Sequence, residues 1–365
     1  MKNRQPDYIL ILIIFVIVFF GLVVLFNASM VLSRDVSGQG YHFLNHQLLY
    51  GVIPGLIFFL IFQWLDYKRW QKAAFPLMIF GLILLCLVLI PGLGYSHGGA
   101  KRWVGFGGFS FQPFEFVKLF FIIYLSTLLS KKGKREQVIK ESFVPFLVVG
   151  AAIVTLVLFQ PNMSALVIFF LIAGIIYFLA EVKISYLVAL AGLGLATLAA
   201  FIKLTGYNAN RLIVYLHPEI DPQGIGYQID QALLAIGSGG LFGLGLGQSI
   251  QKWKYLPEVV GDSVFAIAAE ELGLIGAGVL VLLFICLAWR GLKAAKKSPD
   301  KFGYLLAGGI VGWISLQAFI NMASISGLIP LMGVPLPFVS YGGSAMIVSL
   351  ASMGILVNIS KYKKN

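Results

Sequence analysis

Charge is what this chain has least of. Only 12% of its 365 residues are charged, 27 Lys and Arg against 15 Asp and Glu, whereas 59% are hydrophobic and mean hydropathy is +0.91. A water-soluble domain carries roughly 25% charged residues, so that class is excluded and a polytopic membrane protein is expected. Cysteine is nearly absent. Cys86 and Cys286 lie in separate apolar runs, which argues against a disulfide framework or a thiolate metal site and leaves two buried core thiols as the expectation. Among the 4 histidines, His42 and His46 are four apart and can share a helix face. With no acid or thiol nearby they read as interfacial residues rather than metal ligands. P-loop, dinucleotide-binding and HExxH patterns are all missing.

What the chain does have is apolar length. Runs of spanning length occur at 8–27, 47–65, 73–91, 113–130, 143–160, 162–180, 185–204, 263–289, 303–326 and 338–359, giving an all-α integral membrane protein of about ten transmembrane helices. The first run has no small-residue cleavage site and is expected to be retained. With the N-terminus inside, the clusters Lys68-Arg69, Lys131-Lys132, Lys134-Arg135, Arg290 to Lys301 and Lys361 to Lys364 all fall on the cytoplasmic side. The positive-inside rule then places both termini in the cytoplasm. The net charge of +12 is thus an orientation signal beside anionic lipid, not a nucleic-acid surface.

Two loops on the outer side break this pattern, 92–113 and 205–262. They hold Lys101, Arg102, Arg211, Lys252 and Lys254 among many glycines. The second, between helices 7 and 8, is too long to be a simple connection and is expected to be structured, partly membrane-embedded and functional. It ends at Asp262, where a polar loop enters a long apolar helix. A carboxylate at a membrane boundary is costly to desolvate. Two readings stand: a functional acid, or an N-cap for the helix, a role Ser263 can share. Glu258 is a second carboxylate nearby, and Glu270 lies two turns beyond Asp262 on approximately its face. Glu115 and Lys118 are three apart in an apolar helix, the spacing of an intramembrane ion pair. The Gly237 to Gly247 and Gly342-Gly343 clusters suit tight turns and close helix contacts better than phosphate binding.

Several separated motifs carry a resemblance. They are Gly99-Ala100-Lys101-Arg102-Trp103, Phe109-Ser110-Phe111-Gln112-Pro113-Phe114-Glu115, Gln160-Pro161, and Asp221-Pro222-Gln223-Gly224-Ile225-Gly226-Tyr227-Gln228. Further on stand Tyr255-Leu256-Pro257-Glu258 followed by Asp262, Glu270-Glu271-Leu272-Gly273, and Leu336-Pro337-Phe338-Val339-Ser340-Tyr341-Gly342-Gly343. In this order they resemble the SEDS family (shape, elongation, division and sporulation), which includes FtsW, RodA and SpoVE. The likeness covers nearly the whole chain and implies one polytopic domain, residues 1–365. It implies a glycosyltransferase that polymerises lipid II into glycan strands at the outer face of the bacterial cytoplasmic membrane. Asp262 would be the general base for the acceptor hydroxyl, with Arg102 and Arg211 at the departing diphosphate. Lys252, Gln231, Glu258, Ser340 and Tyr341 complete the candidate substrate-binding set, and Glu115–Lys118 matches the family's intramembrane pair. The resemblance implies no metal site, leaving a divalent cation open as a helper. It names a class B penicillin-binding transpeptidase and other division or elongation proteins as partners, and no nucleic acid.

The sequence departs from the family where Val260-Gly261-Asp262-Ser263 replaces His-Thr-Asp-Phe, where Phe114 replaces Ser, and where Asn162-Met163-Ser164 replaces Asp-Leu-Gly. Gly245 to Lys252 followed by Tyr255-Leu256-Pro257-Glu258 leans to the FtsW division branch, and Val334-Pro335-Leu336-Pro337 slightly to the RodA elongation branch. The alternatives are a RodA-like elongation polymerase, a lipid II flippase and a non-catalytic division scaffold. The flippase reading lacks the internal repeat common in transporters.

Overall fold

A computed structural model describes residues 5–97, 100–106, 109–131, 135–205, 209–217, 220–221 and 224–362. Gly99, Pro222 and Gln223 of the family motifs, and the terminal basic residues Lys2, Arg4, Lys363 and Lys364, lie outside them.

Each apolar run forms a helix. They are α1 (Tyr8–Ser37), α2 (His42–Gln47) running through a π-turn into α3 (Ile53–Trp64), α4 (Lys68–Leu87), α5 (Pro113–Leu129), α6 (Arg135–Leu158), α7 (Met163–Leu179) and α8 (Ile184–Thr205). After two helices in the long loop, α9 (Ala209–Leu216) and α10 (Ile225–Ser238), come α11 (Val264–Lys296), α12 (Lys301–Ile325) and α13 (Gly343–Ser360). Among the described residues eight spans are long and apolar enough to cross a membrane. The other two of the expected ten, α5 and α7, have 17 residues each, about 25 Å at 1.5 Å per residue. The protein is an all-α, multi-pass membrane protein.

The arrangement follows from which helices can bury all round. In α13 83% of the span is buried and in α12 78%, against 17% in α8, so α12 and α13 form the centre and α8 the lipid-facing rim. Small residues set the closest approaches, as membrane packing favours. A side chain at Gly354 would strike the Phe59 carbonyl, and one at Gly55 would strike Leu350, so α3 and α13 touch backbone to backbone. Cys86 and Cys286 are both exposed and unbonded, which corrects the expected core placement. In lipid, a thiol on the outer face costs little, because that face is apolar as well.

Three further details differ from expectation. The first outer loop, for which no strands were expected, holds an antiparallel sheet of β1 (Gly94–His97), β2 (Ala100–Phe106) and β3 (Phe109–Phe111) in sequence order. The last helix starts at Gly343, not 338, because Pro337 and the positive-φ Phe338 hold the preceding residues in turns.

The third is a break in α11 at Gly273, whose φ of 68° and ψ of −171° interrupt the helix. The break exposes backbone groups that lipid could not satisfy, and the loop after α10 satisfies them. Leu244 and Gly245 donate to the carbonyls of Glu270 and Glu271, while Leu274 and Ile275 donate to those of Gly240 and Leu241. A Cβ on Gly273 would sit 2.3 Å from the Gly243 nitrogen, so glycine alone admits this splice.

Candidate active site at Asp262

Asp262 lies one residue before the N-cap of α11. Ser263 occupies the cap position, without a side-chain capping bond, and no hydrogen bond to the Asp262 carboxylate occurs among the described residues. The capping role is therefore unfilled by either side chain. The residue is half-buried. Desolvation, reinforced by the nearby Glu258 charge and opposed by Arg211 and then Arg102, pushes its carboxyl up to about 6.

Opposite the carboxylate runs a segment, residues 331–335, held by side chains from three helices. Arg211 of α9 donates from Nη1 to the Leu331 carbonyl (2.9 Å). Ser164 of α7 donates to the Met332 carbonyl. Asn321 of α12 donates to the Val334 carbonyl (2.7 Å), and Gln317, one turn earlier, to that of Pro335 (2.9 Å). Between these anchors is Gly333, with φ +62°. A Cβ there would lie 3.3 Å from both Asp262 Oδ2 and Arg211 Nη1. Carboxylate and guanidinium thus face each other across a glycine. Arg211 Nε is buried and makes no hydrogen bond among the described residues, so this guanidinium keeps a donor to offer. Arg102, on β2, donates from Nη2 to the Pro161 carbonyl. The Gln160-Pro161 turn therefore seats the arginine whose charge acts on Asp262. Asn162 caps α7 by accepting from the Ala165 N–H (3.1 Å).

The rest of the expected set divides. Ser340 donates to the Gly261 carbonyl (2.7 Å) and accepts from the Leu336 N–H. The Tyr341 N–H donates to the Val260 carbonyl (2.8 Å), and its hydroxyl pairs with His46 Nδ1 (2.9 Å). Both therefore clamp the turn that carries Asp262. Glu258, at φ +53°, closes that turn by accepting from the N–H groups of Gly261 and Ser263 through its carbonyl. Gln231 lies half-buried on α10, but the residue that reaches the start of α11 is Gln228, which donates to Ser263 Oγ (3.0 Å).

Lys252 is placed elsewhere. Its ammonium, almost fully buried, bonds Glu271 Oε1 (3.0 Å) and the Gly247 carbonyl (2.6 Å). Nor does Glu270 face Asp262: its carboxylate accepts from Ser249 Oγ and from the N–H groups of Ile250 and Gln251. Helical spacing put it on the right face, but the loop captured it.

The Glu115–Lys118 pair is real and buried, at 2.8 Å. Lys118 also donates to Gln317 Oε1 (3.0 Å) and lies over the Trp313 ring. Through Gln317 the pair connects to the Pro335 carbonyl, and so to the segment opposite Asp262. Sequence reading missed Gln317, Asn321 and Gly333. The signal available was a Gln and an Asn four apart in an apolar span, a costly polar stripe on one helix face. Asp262 and Glu258 are the carboxylates that act on each other here, and no group of three or more His, Cys, Asp or Glu comes together among the described residues.

A multi-pass helical membrane protein with a perturbed acid under the influence of two arginines is the class these features define. Residues 7–365 match the cell cycle protein family that groups FtsW, RodA and SpoVE, and the chain belongs to that family. It is 39% identical to stage V sporulation protein E of Bacillus subtilis over 100% of this chain and 99% of that protein. It is 38% identical to the probable peptidoglycan glycosyltransferase FtsW of Trichlorobacter lovleyi, covering 98% and 94%. Among solved structures, the rod shape determining protein RodA of Thermus thermophilus superposes with a TM-score of 0.71 at 26% identity over 97% and 96% of the two chains. A chain of a peptidoglycan synthase complex that coordinates polymerization and crosslinking superposes at 0.78, with 25% identity over 97% of each.

Proposed function

We propose that this chain is a peptidoglycan glycosyltransferase that polymerises lipid II at the outer face of the bacterial cytoplasmic membrane, with Asp262 as its general base. One observation carries the reading: a carboxylate with no hydrogen bond among the described residues, raised toward neutrality and facing a guanidinium across a glycine. A base works best when its pKa lies near the working pH. In the reaction, Asp262 takes the proton of the acceptor's GlcNAc 4-hydroxyl as that oxygen forms a bond to C1 of the donor MurNAc. The C1–O bond to undecaprenyl diphosphate breaks, and its electron pair leaves on the diphosphate. Arg211 and Arg102 oppose that developing charge. Glu258 raises the basicity of Asp262, while Ser340 and Tyr341 hold the turn that bears it.

The whole chain acts as one membrane domain, whose outer loops 92–113 and 205–262 form the active region and whose termini are cytoplasmic. Division is the favoured setting, since FtsW names recur among the relatives. The partner is a transpeptidase of the penicillin-binding class, as the synthase complex among the structural neighbours suggests. The test is purified protein with labelled lipid II, with and without that transpeptidase. Wild type makes polymer, and Asp262→Asn, folded to the same extent, loses activity by about 10²- to 10⁴-fold. Polymer made equally well by both overturns the reading.

A further inference from the structure

Asn321 sits in the last turns of α12, fully buried. Its amide nitrogen donates at once to the carbonyl of Asp262 (2.8 Å) and to that of Val334 (2.7 Å). One side chain therefore ties the residue bearing the carboxylate to the neighbour of Gly333, the glycine that faces that carboxylate. An amide is the one common side chain whose nitrogen supplies two donors without a charge. Ser340 and Tyr341 fix the same turn from the other side, through the carbonyls of Gly261 and Val260. Three successive carbonyls, 260 to 262, are thus all pinned, and Asn321 extends its grip to the opposing segment at Val334.

We infer that Asn321 is a positioning residue that sets the spacing between Asp262 and Gly333, and that the missing side chain at 333 is the clearance the acceptor hydroxyl needs to reach the base. The inference rests on Asp262 being the general base. Gly333 supports it from the far side of the gap. Its φ of +62° favours glycine on backbone grounds, but a methyl there would also press on Asp262 Oδ2 and Arg211 Nη1 at 3.3 Å, displacing them by tenths of an ångström. A misplacement of 1 Å can cost about a hundredfold in rate, so shifts of tenths already matter, and the methyl would also fill the gap through which the acceptor hydroxyl reaches the base.

Gly327 supplies the control that separates strain from clearance. It has a similar φ, +69°, but a Cβ there meets only the Leu233 side chain at an ordinary 3.5 Å. Polymerisation of lipid II is measured for Asn321→Ala, Gly333→Ala and Gly327→Ala, with KM and kcat determined separately and melting temperature recorded. The expected result is a fall in kcat of about tenfold or more for the first two, with KM within about threefold. Gly327→Ala stays within about twofold of wild type. In Asn321→Ala the acid limb of the pH profile also moves down, as the loosened carboxylate gains solvent. If Asn321→Ala fails to fold, the two glycine variants decide the matter. Wild-type kcat in Gly333→Ala or in folded Asn321→Ala overturns the inference, as does a loss in Gly327→Ala equal to that in Gly333→Ala. Its failure is distinct from failure of the base assignment: in the first case Asp262→Asn is still inactive, in the second it is active.

Discussion

Two sets of carboxylates lie near the start of α11, and their treatment differs. Glu270 and Glu271 are buried and bonded, by Ser249, the N–H groups of the 249–251 turn and, for Glu271, the Lys252 ammonium. Asp262, eight residues before Glu270, receives no such bond among the described residues and is left at a raised pKa under the influence of two arginines. A buried charge that is fully paired costs little more once the fold exists, and its role is to hold elements together. An unpaired one is costly to keep, and the cost is tolerated where chemistry needs a proton acceptor. The first set splices the long loop into the broken helix; the second waits for substrate.

The sharpest way to break this contrast is to neutralise one member of each set. Asp262→Asn should cut polymerisation by about 10²- to 10⁴-fold while leaving the fold intact, and at pH 8 should keep or raise the melting temperature. The sign follows from the shift. A carboxyl whose folded pKa is raised from 3.8 to about 6 contributes stability at low pH and loses it as pH rises through that window. The amide escapes this loss, and the difference from wild type should vanish below about pH 4. Lys252→Ala should do the reverse. It strands Glu271 without its cation, at a cost of about 3–5 kcal/mol, seen as a lower melting temperature and yield, with specific activity per folded molecule largely kept. If the folded Lys252→Ala protein were as inactive as Asp262→Asn, the division into structural and chemical acids would fail.

The next effect is smaller and comes from pH alone. Wild-type kcat/KM should fall about tenfold per unit below pH 6 and level off above it, because only the ionised Asp262 of the free enzyme accepts a proton. The residual activity of Asp262→Asn should show no such limb. A wild-type limb near pH 4 would mean that the arginines outweigh desolvation at this site.

The sequence made the first of these acids conspicuous and the second set misleading. Asp262 could be picked out because it interrupts a polar-to-apolar boundary, and the ten apolar runs could be counted because lipid demands length. The Glu115–Lys118 pair was readable because three residues on a helix is a local relation. The break at Gly273 was not, since Val264 to Lys296 reads as one apolar run and the loop that stabilises the break lies some thirty residues upstream. Lys252 looked like a free outer cation for the same reason: its partner is 19 positions away. Asn321 reaches Asp262 across 59 residues and Gly333 meets Asp262 and Arg211 from further along the chain still, and no local pattern encodes those contacts. The sheet over 94–111 was not legible, since the loop showed only its glycines and basic residues.

The smallest effect should come from a lysine two residues past Lys252. Lys254 also pairs with an acid, Asp35, at 2.8 Å, but both side chains are largely exposed, 64% and 47%. Such pairs contribute about 0–1 kcal/mol. Lys254 also has φ +72°, a conformation that costs a non-glycine residue roughly 1–2 kcal/mol. Replacing it by glycine removes the weak pair and the strain together, and the second term is at least as large. Lys254→Gly should therefore leave the melting temperature unchanged or raise it, in opposition to the collapse expected of Lys252→Ala. A loss in Lys254→Gly comparable to that in Lys252→Ala would show that burial does not separate the two lysines.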